Sequence, residues 1–448
     1  MKKFLSILSV TIFLTTSTIF VGCGLFDQGS SKKTYSSSRP IDTTEDLCES
    51  VTCVQGETCV VIDDVAQCGS FVSNGCDPVC LDPQTCVLAG GQYSCVTPPP
   101  TGCNPACVNP QTCVFAGGQY SCVTPPPGCD QTPDVYVAGH RHIGNKDVAS
   151  YWKNNMAGAH ELTLSATSNY ANSISFDGTN LYVGTMSYTA PTGSSAAIVS
   201  SAYWKNGAKT VLTPTYSDGS KLFINGTDVY AAGYHKPTVN SDTEVAAYWL
   251  NGSKTDLPIS AINIYAAANQ VYVSGSDVYA CGNYTSRAGY NVAVYWKNET
   301  MINIGNATAN DIYVSGGDIY IAGSYSPNSI QNACYWKNNY RTTLSSVDSN
   351  ANRIFISGSD VYISGSYTSN GKSIACYWKN GVKVDLPVPS TAQSSYTTSI
   401  FTHCSGVYVS GVYKNSSGNS VATFWKGSTR TDLTDGSQGA SARDIHVY

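Results

Sequence analysis

All seven tryptophans of this 448-residue chain occur in one recurring dipeptide, an aromatic residue followed by Trp: Tyr151-Trp152, Tyr203-Trp204, Tyr248-Trp249, Tyr295-Trp296, Tyr335-Trp336, Tyr377-Trp378 and Phe424-Trp425. The pairs recur every 40 to 52 residues across the last 316 positions. That interval is the length of one supersecondary unit in a repeat protein, and such a unit buries its apolar surface only by stacking on its neighbours. The C-terminal region is therefore seven copies of one element.

Residues 351–386 show the unit most clearly. Ile354-Phe355-Ile356 and Val361-Tyr362-Ile363 are β-prone runs separated by Gly358-Ser359, a two-residue hairpin signal in which a positive φ favours Gly; Gly226 and Gly275 repeat it. A third run ends in Tyr377-Trp378, and Asn380-Gly381 signals another hairpin before a fourth run at 382–386. Each unit thus predicts four antiparallel strands. The runs do not alternate strictly between apolar and polar, as expected of sheets covered on both faces, and the Trp is assigned to packing between units rather than to ligand stacking.

The repeats begin at 134–139, which match the second strand of the unit, and end at 443–448, which match the first. One unit is split between the two ends of the region, and pairing them closes a ring and removes its lateral edges. The predicted fold class is all-β, a seven-bladed β-propeller of four-stranded antiparallel blades over residues 133–448, preceded by small disulfide-rich modules. With its recurrent Tyr-Trp-Lys-Asn-Gly motif, the region resembles repeat-built bacterial surface lipoproteins, over about 70% of the chain. Neither the His and Asp pattern of WD repeats nor the Asp-box of sialidases occurs. Fold alone assigns no chemistry.

Residues 1–22 read as a secretory leader, with Lys2 and Lys3 ahead of an apolar stretch at 4–20 that is short for a membrane span. The leader ends in Phe20-Val21-Gly22-Cys23, which resembles a bacterial lipobox. The resemblance implies lipidation of Cys23 and anchoring to a membrane of the bacterial cell envelope, with the outer membrane or cell surface as the expected place. Residues 23–47 read as the lipidated Cys and a disordered tether, since no apolar periodicity drives packing there. Without Lys2 and Lys3 the net charge goes from −5 to −7, and the absence of a basic patch excludes nucleic acid as a partner.

Twelve of the 18 cysteines form three quartets with nearly constant gaps: Cys48, Cys53, Cys59 and Cys68 in module 48–70; Cys76, Cys80, Cys86 and Cys95 in module 76–97; Cys103, Cys107, Cys113 and Cys122 in module 103–124. Modules of this size need crosslinks, and a secreted chain can form them. Spacing alone leaves three pairings open per quartet. The first quartet resembles the EGF-like hairpin that opens follistatin domains, and the other two resemble the first half of an EGF-like module. These resemblances imply pairing first to third and second to fourth. No C-x2-C zinc knuckle occurs. Pro98-Pro99-Pro100 and Pro125-Pro126-Pro127 separate the modules as stiff polyproline spacers, making a stalk. Cys129 is left over, either as the stub of a fourth module or as the partner of a cysteine outside the quartets. Cys281, Cys334, Cys376 and Cys404 are expected in strands as small buried hydrophobes.

In such a blade the connections between second and third strands, and from one blade to the next, share one face and vary in length. Variable loops on a rigid scaffold are where binding resides. The inner strands start at that face with Asn172, Ser220, Asn269, Asn310, Asn352, Thr398 and Arg443 in one frame, which either hydrogen-bond a ligand or cap backbone at the strand entry. Second strands end near it in Tyr284, Tyr325, Tyr367 and Tyr413, with Arg141 and His235 in the equivalent place, giving either a sugar- or protein-binding surface or packing between blades. Six scattered histidines sit in no catalytic motif; His140 and His142 lack a third metal ligand, and no cofactor or metal is expected. The functional expectation is a lipid-anchored surface protein, non-catalytic and not an enzyme, that binds protein or glycan. The alternatives are a polysaccharide-acting enzyme with paired carboxylates at the channel mouth, and a purely structural envelope component.

Overall fold

The computed structural model describes Cys129, residues 132–154, 158–162, 168–190, 198–213, 216–238, 241–259, 265–327 and 329–448, and the backbone of six short strands in the cysteine modules. The leader, Cys23, the tether and the disulfide pairing of the quartets lie outside the described residues. Each module contributes one two-stranded hairpin: Thr58–Ile62 with Val65–Gly69, Thr85–Ala89 with Gln92–Val96, and Thr112–Ala116 with Gln119–Val123. Cys59 is in register with Cys68, and Cys86 with Cys95.

The repeat region forms seven four-stranded antiparallel sheets among the described residues. Blades 1 to 6 span 168–213, 217–256, 266–305, 307–343, 349–385 and 394–432, with strands in chain order from the centre outward. Blade 7 is composite. Its inner strand is Ala440–Val447 from the C-terminal end, and its second is Val135–Ile143. The seam is tightened by reciprocal backbone hydrogen bonds between Asp134 and Tyr448, 2.9 Å each. The expectation of a seven-bladed ring closed by its own ends is met.

Each residue of the repeating motif has a separate physical task. The Trp packs against the preceding blade: Trp425 of blade 6 lies against Tyr362, Ala375 and Tyr377 of blade 5, and Trp378 of blade 5 lies against Tyr320, Ala322 and Ala333 of blade 4. The following Lys folds over a Tyr of the second strand and pairs with the Asp of the first hairpin turn. Lys297, Lys337 and Lys379 lie 2.8, 2.7 and 2.9 Å from Asp277, Asp318 and Asp360, and 5.2–5.4 Å from the ring centres of Tyr279, Tyr320 and Tyr362. The Asn that comes next takes a positive φ in the outer hairpin turn, 47–51° at Asn206, Asn251, Asn298, Asn338 and Asn380. Its side-chain oxygen accepts an N–H at the start of the second strand, as from Val361 to Asn380 at 2.8 Å. A hairpin turn is thereby tied to the strand two positions inward.

A Gly in the middle of each second strand is fixed by close approach. At Gly365 an added Cβ would come within 2.0 Å of the Asn350 carbonyl oxygen and 2.6 Å of the Trp378 ring, and Gly139, Gly282, Gly323 and Gly411 face the equivalent inner-strand carbonyl.

One cysteine assignment is corrected. Cys404 does not lie in a strand; it occupies the turn after the inner strand Ser394–His403, with φ 55°, and is disulfide-bonded to Cys129, 275 residues away. The leftover cysteine therefore secures the approach to the propeller against blade 6. Cys281, Cys334 and Cys376 are buried free thiols as expected, with burial pushing each thiol pKa up.

Gly365→Ala should cost about 1–3 kcal/mol, because the added methyl meets backbone and a fixed indole. Gly358→Ala, at a turn with φ 59° and open space around it, should cost about 1 kcal/mol. Thermal denaturation of the two variants checks the order. Cys404→Ser should lower stability by about 2–4 kcal/mol, read as a lower unfolding midpoint without change of fold by circular dichroism.

Candidate functional site: the mouth of the central bore

An inner propeller strand pairs with only one neighbour, so its other edge turns unpaired N–H and C=O groups toward the bore. Buried backbone groups require partners. Here polar side chains of the adjoining blade supply them, delivered by a register irregularity that occurs in every inner strand, around Asn172, Ser220, Asn269, Asn310, Asn352, Thr398 and Arg443. A β-bulge lets two consecutive side chains serve the same side of a strand.

The first bulge side chain donates to the next blade. Asn269 Nδ2 donates to the Ala309 carbonyl at 2.7 Å, Asn310 to Ala351 at 2.8 Å, and Asn352 to Thr397 at 2.5 Å. Asn172 donates to Ser220 Oγ at 2.8 Å and accepts from Arg443 at 3.0 Å. The second bulge side chain accepts. Leu222 N–H donates to Ser173 Oγ at 3.1 Å, Ile354 N–H to Asp311 at 2.7 Å, and Ile174 N–H to Asp444 at 3.0 Å. Of the two roles weighed for these Asn residues, backbone capping describes their amide nitrogens. No protein donor reaches the Oδ1 of Asn269, Asn310 or Asn352 among the described residues.

Three tiers of side chains follow down the bore. The mouth is a cavity of about 580 Å³ whose lining includes Asn269, Asn310, Asn352, Tyr396, Lys221 and Arg443. Tyr396 is 41% exposed there, and burial pushes the Tyr234 hydroxyl, also on this wall, up to about 12. Beneath lies a charged tier in which Arg353 sits 3.5 Å from Asp311 and 3.7 Å from Asp444. Asp444 also accepts from Ser399 Oγ at 2.7 Å, so one carboxylate joins blades 5, 6, 7 and 1. Below these, Phe223, Tyr272, Tyr313, Phe355, Phe401 and His446 form a continuous aromatic girdle with ring centres 4.5–5.3 Å apart, around a second cavity of about 320 Å³.

The other sequence-derived candidates stand away from the bore. Tyr367 bonds Asp385 at 3.0 Å beneath Lys383, Tyr413 bonds Asp432 at 3.0 Å, and Tyr325 bonds Thr343 at 2.9 Å with Arg341 stacked on its ring. His235 bonds Asp256 at 2.8 Å, and Arg141 pairs with Glu161. Each partner lies on or near the outermost strand of the same blade, so these side chains brace the blade across its third strand. Tyr284 packs on the apolar cluster between blades 2 and 3. His140 and His142 diverge: His142 bonds Asp147 at 3.0 Å, whereas His140 lies against Tyr170 and Arg443. Burial first, and then the charge of Arg443, push His140 down to about 4.

Sequence reasoning missed Lys221, Asp311, Arg353 and Asp444. Their signal was a second polar residue directly after the aligned Asn, Ser or Arg, in a strand otherwise apolar. The paired carboxylates required by the enzymatic alternative have a counterpart in Asp311 and Asp444. Burial raises the Asp311 pKa, yet both carboxylates are engaged by backbone N–H groups and lie beside Arg353 below the mouth.

No protein-family model matches the chain, and no curated protein does. Solved structures do. The β-propeller domain of the Trilobed protease from Pyrococcus furiosus is 11% identical, with 68% of this chain and 96% of that chain covered and a TM-score of 0.42. An acylaminoacyl peptidase from Pyrococcus horikoshii is 13% identical over 67% of this chain, TM-score 0.42; this chain spans about half of its length. A polysaccharide lyase, Ulvanlyase, is 11% identical over 69% of this chain and 91% of that chain, TM-score 0.41. The expectation that the protein is not an enzyme is withdrawn, because the propellers it matches belong to peptidases and a polysaccharide lyase. At this identity their activities remain statements about those proteins.

Burial first of all also pushes His446 down to about 4, from an ordinary 6.5. With folded pKa values below the unfolded ones, His140 and His446 take up protons on unfolding between about pH 6.5 and 4. Stability is full above that window and falls as pH drops through it. Thermal melts from pH 7 to 4.5 should show this decline, and His446→Asn should make it shallower.

Proposed function

We propose that this protein is a lipid-anchored component of the bacterial cell envelope that presents its propeller for binding a glycan at the mouth of the bore. The observation that carries the reading is the set of side chains around the 580 Å³ cavity. Asn269, Asn310 and Asn352 are held rigid by their amide nitrogens, leaving three side-chain acceptors on one wall. Tyr396 supplies an exposed ring, and Arg443 and Lys221 supply donors. Fixed acceptors, charged donors and an aromatic face in a concave cavity suit a polyhydroxylated ligand, and the volume falls in the range of small-molecule sites. A protein partner needs a broader and more apolar surface than this recess offers.

The envelope assignment is supported by the leader and the sequence around Cys23, and the cysteine modules serve as a spacer. Metabolic labelling with a fatty-acid analogue should mark the wild-type protein and fail to mark Cys23→Ala, which should then appear in the soluble fraction. For the mouth, Tyr396→Ala should weaken glycan binding about tenfold or more on a glycan array with calorimetric follow-up, with the unfolding midpoint lowered only modestly because the residue is 41% exposed. Tyr367→Ala, away from the bore, should leave binding intact. Equal affinity of wild type and Tyr396→Ala would place the ligand elsewhere.

A further inference from the structure

Two cations at the mouth have no carboxylate within ion-pair distance. Arg443 lies over the Tyr170 ring, 4.8 Å from its centre, and donates to Asn172 Oδ1 at 3.0 Å and to His140 Nδ1 at 3.4 Å. Lys221 Nζ donates to the backbone oxygen of the same Asn172 at 3.0 Å. Both line the mouth cavity, and neither appears in any ion pair among the described residues.

The neighbouring carboxylates, Asp218 on the same cavity wall included, make their contacts with other groups. Asp218 accepts from the backbone N–H and hydroxyl of Ser220. Asp147 accepts from Tyr170 at 2.8 Å and contacts His142 at 3.0 Å. Asp311 and Asp444 bond the backbone of the next blade and flank Arg353, which is thereby compensated. Burial and the charge of Arg443 hold His140 neutral, so it adds no second charge here, and Asp218, Asp147 and Asp444 act on the two cations only from beyond ion-pair distance. A half-buried cation without a counter-charge is costly, and a ligand oxyanion relieves the cost. Arg443 also breaks the ring: its frame holds Asn, Ser or Thr in the other six blades.

Resting on the glycan reading above, we propose that the mouth is selective for acidic glycans, with Arg443 and Lys221 receiving an oxyanion, a uronate carboxylate or a sulfate ester, while the Asn wall accepts hydroxyls. Arg443 can offer a planar fork to such a group, and Lys221 a point charge beside it.

Calorimetric titration of the full-length protein with oligogalacturonate, sulfated galactan oligomers and neutral galactan oligomers tests this. An acidic oligomer should bind about tenfold or more tighter than the neutral one, with affinity falling as salt rises. Tighter binding of oligogalacturonate identifies the carboxylate as the anion; tighter binding of the sulfated oligomer identifies the ester. Arg443→Gln should abolish the preference while keeping residual neutral binding. Lys221→Met provides a second arm should loss of the Tyr170 contact unfold Arg443→Gln, and it should at least halve the salt dependence. Equal binding of acidic and neutral oligomers, or a preference that survives both substitutions, overturns the anion inference and leaves the glycan reading standing. Failure of every oligomer to bind overturns both.

Discussion

The bore is where seven strand edges meet, and the propeller depends on how those edges are satisfied. An inner strand has a partner on one side only, so without a partner on the other, its N–H and C=O groups would face a narrow interior unpaired. The bulged side chains resolve this by serving the next blade: Asn269, Asn310 and Asn352 donate to carbonyls, and Ser173, Asp311 and Asp444 accept N–H groups. Polar residues in the middle of the molecule are therefore structural first. Their remaining hydrogen-bonding capacity, the free Asn oxygens above and the aromatic girdle below, gives the two ends of the bore different chemistry.

The same bulge accounts for the Gly of the second strand and the Trp of the third. It pushes an inner-strand carbonyl toward the second strand, where only Gly leaves room, and the Trp ring from the third strand packs over that Gly. The Trp then fills the groove against the preceding blade. Bulge, Gly and Trp are one device repeated around the ring, which is why the motif recurs while the loops between blades vary. The Lys and Asn that follow it close the opposite face through the hairpin turns.

Much of this was legible in the residues themselves. Gly358-Ser359 and Asn380-Gly381 announce their hairpins through local backbone preference, and a strand's worth of sequence at each end of the region announces the seam. The Asn frame was legible as a ring of polar residues, but its direction was not, because the donor role of each Asn depends on a carbonyl in another blade, 40 to 45 residues on. Tyr325, Tyr367 and Tyr413 looked like surface aromatics; their pairing across the third strand follows from sheet register, which a single strand does not display.

The sequence by itself determined the number of blades, the four-strand order and the closure, since each is written in short-range patterns repeated seven times. Only the tertiary structure decided the bore: that Arg353 lies between Asp311 and Asp444, that Asp444 reaches Ile174 across 270 positions, and that Cys129 meets Cys404 across 275. These contacts depend on the curvature with which blades stack. Curvature is a property of the closed ring, and no single repeat encodes which residues it brings face to face.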